Sequence, residues 1–252
     1  MSRPITVLHV DDEPGFAEMV GEFLERAGID TVAATDADEA LERLHTESFD
    51  CVVSDHDMPG KDGLALLERV RDHEPEMPFV LFTGKGSEEV ASKAIATGVT
   101  DYLQKGGVET YEMLTKRIEN AVERRRARAE AEHTRRFLEK VVEHATDVIA
   151  TVDTDGRIVF VSGSCEEVLG YTPAELRGRD AMEFLHPDDR ELVEERFARR
   201  QTDPDGPTGL RHRAMRADGS VVELNARAYN LVDDPDVGGI LVYSRPVDAT
   251  ID

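Results

Sequence analysis

Short apolar runs and helical stripes alternate through the first half of the chain. Ile5 to Val10 is an apolar run of strand length, and residues 15 to 28 carry Phe16, Met19, Val20, Phe23 and Leu24 at helical spacing before Gly28. Thr31 to Ala34, Cys51 to Ser54 and Phe79 to Phe82 repeat the run, and Tyr102-Leu103 centres a fifth. Ala37 to Leu44, Leu64 to Val70 and Val90 to Ala96 lie between them with helical periodicity. Apolar strands that alternate strictly with helices predict a parallel sheet covered on both faces. The expected fold of this half is α/β, doubly wound and five-stranded.

From about Thr110 to Val142 there is neither Pro nor Gly. Leu114, Ile118, Ala121 and Val122 stripe the start of this segment, and Phe137, Leu138, Val141 and Val142 stripe its end. Its middle, Glu123 to Arg136, is nearly all charged residues and Ala. A helix polar all round is a solvated connector, so one long helix is expected to close the first half and open the second. Val148 to Val152 and Ile158 to Val161 then flank Asp155-Gly156, a hairpin turn signal. Short helices are expected from Cys165 to about Gln201 and a loop from Asp203 to Gly209. Leu210 to Arg216, Ser220 to Leu231 and Ile240 to Ser244 read as strands, the first two joined at Asp218-Gly219. Strands, helices and again strands predict an α+β domain with an antiparallel sheet.

Hydrophobic residues make up 40% of the 252, enough for ordinary cores in one or two domains. The formal net charge is -23, which repels a phosphate backbone and argues against a nucleic-acid partner. The lysines are Lys61, Lys85, Lys93, Lys105, Lys116 and Lys140. So acidic and Lys-poor a surface suits an interior high in salt, where self-repulsion is screened, and a halophilic source is expected. Cys51 and Cys165 are the two cysteines, which fits a cytoplasmic setting without a disulfide framework. No run of 18 apolar residues occurs, so no membrane span is expected.

In a doubly wound sheet, ligands gather where the strand carboxyl ends meet. Asp11-Asp12-Glu13 follows the first strand, Asp55-His56-Asp57 the third, Thr83-Gly84 ends the fourth, and Lys105 follows the fifth. Carboxylates, a hydroxyl and an ammonium would converge on one rim. Clustered carboxylates call for a cation, and hard oxygen ligands with open water positions suit Mg²⁺. A carboxylate there can act as a nucleophile toward phosphorus.

Val10-Asp11-Asp12-Glu13, Asp55-His56-Asp57-Met58-Pro59-Gly60 with Asp62-Gly63, Phe82-Thr83-Gly84 and Asp101-Tyr102-Leu103-Gln104-Lys105 resemble the signature segments of response-regulator receiver domains, over about residues 4 to 122. The resemblance implies a flavodoxin-like sheet and phosphorylation of Asp55. It also implies Mg²⁺ held by Asp12, Asp55, the backbone carbonyl of Asp57 and, through water, Asp11. Thr83 and Tyr102 would move as the switch, and Lys105 would pair with the phosphoryl group. One departure is that Gly106-Gly107 follows Lys105 where the family has a cis proline. A cis bond before a non-proline residue costs about 2.5–4 kcal/mol, so glycine freedom is expected to replace it.

Asp147 to Ile158, Glu167 to Leu176 with Gly178-Arg179, Phe184 to Arg190, and Arg216 to Ser220 resemble segments of PAS sensor domains, over about residues 138 to 248. Ala181 follows Gly178-Arg179-Asp180 where light-sensing relatives carry a reactive Cys, no CxxCH motif is present, and Pro187 to Gln201 lacks a His. Neither haem nor flavin is expected. Cys165 reads as a packed residue and His186 as a helix cap. Arg124-Arg125-Arg126 and Arg128 alternate with Glu119, Glu123, Glu130 and Glu132, which predicts a solvated helix with i,i+4 pairs. His144 lacks a downstream ATP-binding segment and is not read as a kinase histidine.

The domains expected are a receiver in residues 1 to 122, a helical linker in 123 to 139 and a PAS domain in 140 to 252. The function expected is a phosphorelay response regulator that takes its phosphoryl group from a sensor histidine kinase. It would be no enzyme beyond self-catalysed phosphoryl transfer and dephosphorylation. A homodimer through the PAS half and the linker helix is a further expected assembly. The alternatives are the N-terminal part of a hybrid sensor kinase, or a ligand sensor whose receiver serves only for docking.

Overall fold

The computed structural model describes residues 3–84, 88–202 and 208–247. The chain divides into two compact units, Met1–Glu132 and His133–Asp252.

The first unit alternates β1 (Ile5–Val10), α1 (Pro14–Arg26), β2 (Ile29–Ala34), α2 (Ala37–Thr46), β3 (Cys51–Ser54), α3 (Gly63–His73), β4 (Phe79–Thr83), α4 (Glu88–Thr97) and β5 (Asp101–Gln104), and α5 (Val108–Glu143) follows. The five strands form one parallel sheet in the order β2-β1-β3-β4-β5. Alternate residues of each strand face opposite ways, and both faces are covered. Leu8, Val52 and Leu81 pack on one face with Leu66 and Leu67. Val7, Val53 and Phe82 pack on the other with Leu24, Leu114 and Ile118. A side chain of this size taken fully out of water stabilises by about 1.5–3 kcal/mol. The doubly wound fold expected from the apolar runs is therefore present; α2, α3 and α4 run past their stripes, while α1 ends at Arg26, two residues short of Gly28. Side chains set two of the starts. Asp36 caps α2 by accepting from the backbone N–H groups of Asp38 and Glu39, and Asp62 caps α3 by accepting from that of Ala65.

In α5, Leu114, Ile118, Ala121 and Val122 are buried, as the stripe predicted. The Arg run is not simply solvated. Arg125 reaches Glu74 at 3.1 Å. Arg126 reaches Asp50 at 2.9 Å and donates to the carbonyls of Arg3 and Pro4. The expected i,i+4 pairing is corrected here, because carboxylates far away in sequence capture these two guanidinium groups. Burial opposes the Asp50 charge, but the Thr6 N–H, Arg126 and Arg3 outweigh it and hold its carboxyl below the usual range.

The second unit opens with the hairpin β6 (Val148–Val152) and β7 (Ile158–Val161), turned at Gly156, whose φ is 81°. α6 (Cys165–Leu169), α7 (Pro173–Leu176), two 3₁₀ turns and α8 (Arg190–Thr202) follow, then β8 (Thr208–Met215), β9 (Val221–Leu231) and β10 (Gly239–Pro246). The sheet order is β7-β6-β10-β9-β8, antiparallel throughout. This is the α+β arrangement expected. Most of the loop expected from Asp203 to Gly209 lies outside the described residues, and β8 already includes Thr208 and Gly209. His186 caps the second 3₁₀ turn through the backbone N–H of Asp188, and Cys165 is a buried free thiol. Among the described residues no helix is long and apolar enough to cross a membrane.

Candidate functional site

Strand register builds the site. Val10 pairs with Ser54 across β1 and β3, and the Asp55 N–H donates to the Val10 carbonyl at 2.8 Å. Asp11 and Asp55 therefore leave the sheet side by side, at the point where the chain order reverses. Carboxylate oxygens of Asp11, Asp12 and Asp55 lie within 4.8 Å of one another. The Lys105 N–H donates to the Thr83 carbonyl at 2.8 Å, which anchors the Lys backbone at the end of β4. Its Nζ donates to Asp11 Oδ2 at 2.7 Å and to Asp55 Oδ2 at 3.0 Å, and lies 4.2 Å from the centre of the Phe16 ring. Burial disfavours the Lys105 charge, but Asp11 and Asp55 outweigh it and raise its pKa.

The expected site residues fall out unequally. Asp11, Asp12, Asp55 and Lys105 converge. Thr83 is buried at the end of β4, as its register requires. Tyr102 is partly buried, and burial together with the Asp57 charge raises the pKa of its phenol. Asp57 is exposed. Gly63 is required sterically: a Cβ there would sit 2.1 Å from the Asp55 carbonyl oxygen. No described peptide bond is cis, and Gly106 and Gly107 have no positive φ. The freedom expected of these glycines is thus not used in that form. Gly106 serves by close approach, since a Cβ there would meet the Thr110 hydroxyl at 2.7 Å.

Three carboxylates and one ammonium leave an excess of negative charge that suits a divalent cation. Asp12 makes no bond within the described residues and is free to ligate. The donor set is all oxygen, which fits Mg²⁺ and disfavours softer metals.

His9 carries no functional signal in the sequence, yet it lies fully buried on β1 beside this rim. Neither ring nitrogen finds a well-formed hydrogen bond. Burial lowers its pKa to about 4 against the pull of Asp11. A polar residue inside an otherwise apolar run was the one available hint.

The second unit has a different kind of site. A cavity of about 190 Å³ is lined by Val148, Val161, Leu176, Phe184, Ala226 and Ile240 among others. His212 on β8 also lines it, its Nδ1 unpartnered and its pKa lowered by burial. Burial, then the Glu166 charge, pushes the Cys165 thiol up to about 11, so it is not a poised nucleophile.

Residues 7–119 match the family model of the response regulator receiver domain, and residues 158–240 match that of the PAS fold. Over 123 residues the chain is 33% identical to the transcriptional regulatory protein FixJ of Bradyrhizobium diazoefficiens, covering 49% of this chain and 59% of that protein. Over 184 residues it is 33% identical to the C4-dicarboxylate transport transcriptional regulatory protein DctD of Rhizobium meliloti, covering 67% of this chain and 40% of that protein. The chain thus spans less than two thirds of the length of either regulator. A response regulator receiver domain protein of Clostridium thermocellum is similar in structure, with 28% identity and a TM-score of 0.46, over 49% of this chain and 98% of that one.

Proposed function

We propose, from a chain that belongs to the response regulator receiver family over residues 7–119 and to the PAS fold over residues 158–240, that Asp55 accepts a phosphoryl group from a sensor histidine kinase and that the PAS half reads the result. The observation that carries this is the pair of hydrogen bonds that Lys105 Nζ donates to Asp11 and Asp55, with Asp12 alongside. An Asp55 carboxylate oxygen forms the new bond to phosphorus as the bond from phosphorus to the donor's leaving group breaks. Lys105 then exchanges a carboxylate oxygen for a phosphoryl oxygen, and the Thr83 hydroxyl donates to another. Mg²⁺, held by Asp12, Asp55, the Asp57 carbonyl and Asp11 through water, supplies positive charge to the incoming oxygens when bound. Thr83 and Tyr102 shift together as the bistable element.

The domains of this reading are a receiver in residues 1 to 122, a helical linker in 123 to 139 and a PAS module in 140 to 252. The continuous run of α5 from Val108 to Glu143 supports it as the transmitter. The chain acts in the cytoplasm and catalyses nothing beyond its own phosphorylation and dephosphorylation. On this reading the PAS half holds neither haem nor flavin.

Acetyl phosphate with Mg²⁺ tests the phosphoryl site, the relay and the absence of haem and flavin on one preparation. Mass spectrometry should find one phosphate, on Asp55, and Asp55→Asn should abolish labelling. Hydrogen exchange in residues 140–247 should change on labelling, and the dialysed protein should lack visible absorbance. Full labelling of Asp55→Asn would overturn the site. Unchanged exchange would overturn the relay, and a retained visible band would overturn the absence of haem and flavin.

A further inference from the structure

The edge of the first unit opposite the carboxylate rim carries a pair of histidines that phosphoryl transfer does not use. Helices of a doubly wound sheet run back against its strands, so their C-terminal ends gather at the strands' amino ends. His45 lies in the last turn of α2, and His73 is the last residue of α3. Both are exposed. Their ring centres stand 5.7 Å apart, with the ring planes crossed at 77°.

The partners of these rings fix where their protons sit. His45 Nδ1 lies 2.6 Å from the Leu41 carbonyl oxygen, and His73 Nδ1 lies 3.0 Å from that of Arg69. A carbonyl oxygen only accepts, so each Nδ1 carries a proton and donates it. Each neutral ring then keeps its lone pair on Nε2. A metal-ligating histidine is arranged in this way, its other nitrogen donating to a carbonyl that fixes the tautomer. Here two neighbouring rings on different helices adopt it together. Their separation agrees. An ion about 2.1 Å from a histidine nitrogen lies about 3.2 Å from the ring centre. Two imidazoles on one ion therefore have centres about 4.5 Å apart at a right angle and about 6.4 Å apart when opposite. The observed 5.7 Å falls between these limits.

The surroundings favour a cation, because the partial negative charges of two helix C-termini meet here. The arginines of the same last turns are engaged elsewhere. Arg43 pairs with Glu39 and Glu47, and Arg71 donates to the carbonyls of Met77 and Gly98.

We propose that His45 and His73 form a binding site for a divalent transition ion of the Zn²⁺ class, which clips the ends of α2 and α3 together. Imidazole nitrogens suit Zn²⁺, Cu²⁺ and Ni²⁺ rather than Mg²⁺, so this site and the oxygen-lined rim select different ions. Among the described residues no third His, Cys, Asp or Glu side chain completes the set, so water fills the remaining positions. With two of four ligands from the protein, the dissociation constant falls between about 1 and 100 μM. The site does not rest on phosphoryl transfer at Asp55.

The test titrates Zn²⁺ into the full chain by calorimetry, with millimolar Mg²⁺ present to occupy the rim. One ion should bind. His45→Gln and His73→Gln should each weaken it at least tenfold, and the double variant should be little worse than either, because a chelate lost at one end is lost. Both side chains are exposed, so metal-free thermal melts should stay close to the parent's, which separates lost ligation from lost fold. Cu²⁺ supplies a second readout. Its electron paramagnetic resonance spectrum should show two nitrogen ligands in the parent and one in either single variant. Zn²⁺ affinity unchanged by either substitution would overturn the proposal, as would a single nitrogen on Cu²⁺ in the parent. Single losses that add in full in the double variant would also overturn it, since they mark two independent weak sites. So would binding that falls with Asp12→Asn instead, which would place the ion at the carboxylate rim.

Discussion

The receiver rim lies at the carboxyl edge of one five-stranded sheet and the PAS cavity against another, but they invest their sequence in opposite things. At the rim, charged groups from three segments meet, and Lys105 bonds to two carboxylates but balances only one of their charges. In the PAS half the enclosed space is apolar, and among the described residues its one unpartnered ring nitrogen belongs to His212. A polar cluster has its chemistry written in its residue types, so it announces a reaction. An apolar hollow has only shape and size, so it announces packing. The difference teaches why the first half of the chain yields a specific mechanism and the second only a module class.

The sharpest way to break the contrast is to perturb the PAS cavity and see whether it behaves as core. Leu176 is 2% exposed, sits on α7 and faces the hollow. Leu176→Ala removes apolar contacts and enlarges a space that cannot easily collapse, which should cost about 2–5 kcal/mol. Calorimetry of the full chain should show the PAS transition lowered while the receiver transition stays in place. A variant as stable as the parent would mean that the hollow already relaxes freely, and that its lining is not core at all.

His9 tests the receiver side, where a buried ring makes no well-formed hydrogen bond. Its pKa falls from 6.5 in the unfolded chain to about 4 in the fold. A base with a depressed folded pKa is held neutral by the fold. Its contribution is therefore complete above pH 6.5 and is lost as pH falls toward 4. The loss approaches about 3 kcal/mol at the acid end. His9→Val should remove this dependence. Denaturant melts of both proteins between pH 7 and pH 4 should show the parent losing more stability than the variant. Parallel curves would mean that His9 is not buried neutral.

Much of this was legible in the sequence, and the misses share a cause. The strands β1, β3, β6 and β7 begin and end where their apolar runs do. A short buried strand is mostly apolar, so its limits are written locally. The rim residues were legible because a parallel sheet sends all its carboxyl ends to one side. Arg125 and Arg126 were misjudged because Glu74 and Asp50 lie 51 and 76 residues away. Nothing in a helical charge pattern reveals a partner at that distance. His9 was missed because one polar residue in an apolar run carries no signal of its own, although the sheet expected to be covered on both faces already left it no outward side.

Asp12 offers the smallest effect and the most direct link between the rim's chemistry and its stability. Asp11 and Asp55 share Lys105, whereas Asp12 has no bonded partner among the described residues. Without metal its charge only adds to the excess at the rim, and repulsion between neighbouring carboxylates near a surface costs on the order of 1 kcal/mol. Asp12→Asn removes that charge at nearly constant volume, so the metal-free receiver should become more stable by about 1 kcal/mol. Added Mg²⁺ should reverse the order. A ligand that binds only the fold stabilises it by RT ln(1 + [L]/Kd), about 2.7 kcal/mol at a hundred times Kd. The parent should gain this and the variant most of it not, because a direct carboxylate ligand is gone. Thermal melts of both proteins with EDTA and with millimolar Mg²⁺ give the four numbers needed. Crossing of the two orders ties the instability of the empty rim to its binding of a cation. A variant less stable in EDTA would mean that Asp12 serves the fold, and equal gains in Mg²⁺ would mean that the cation does not bind there.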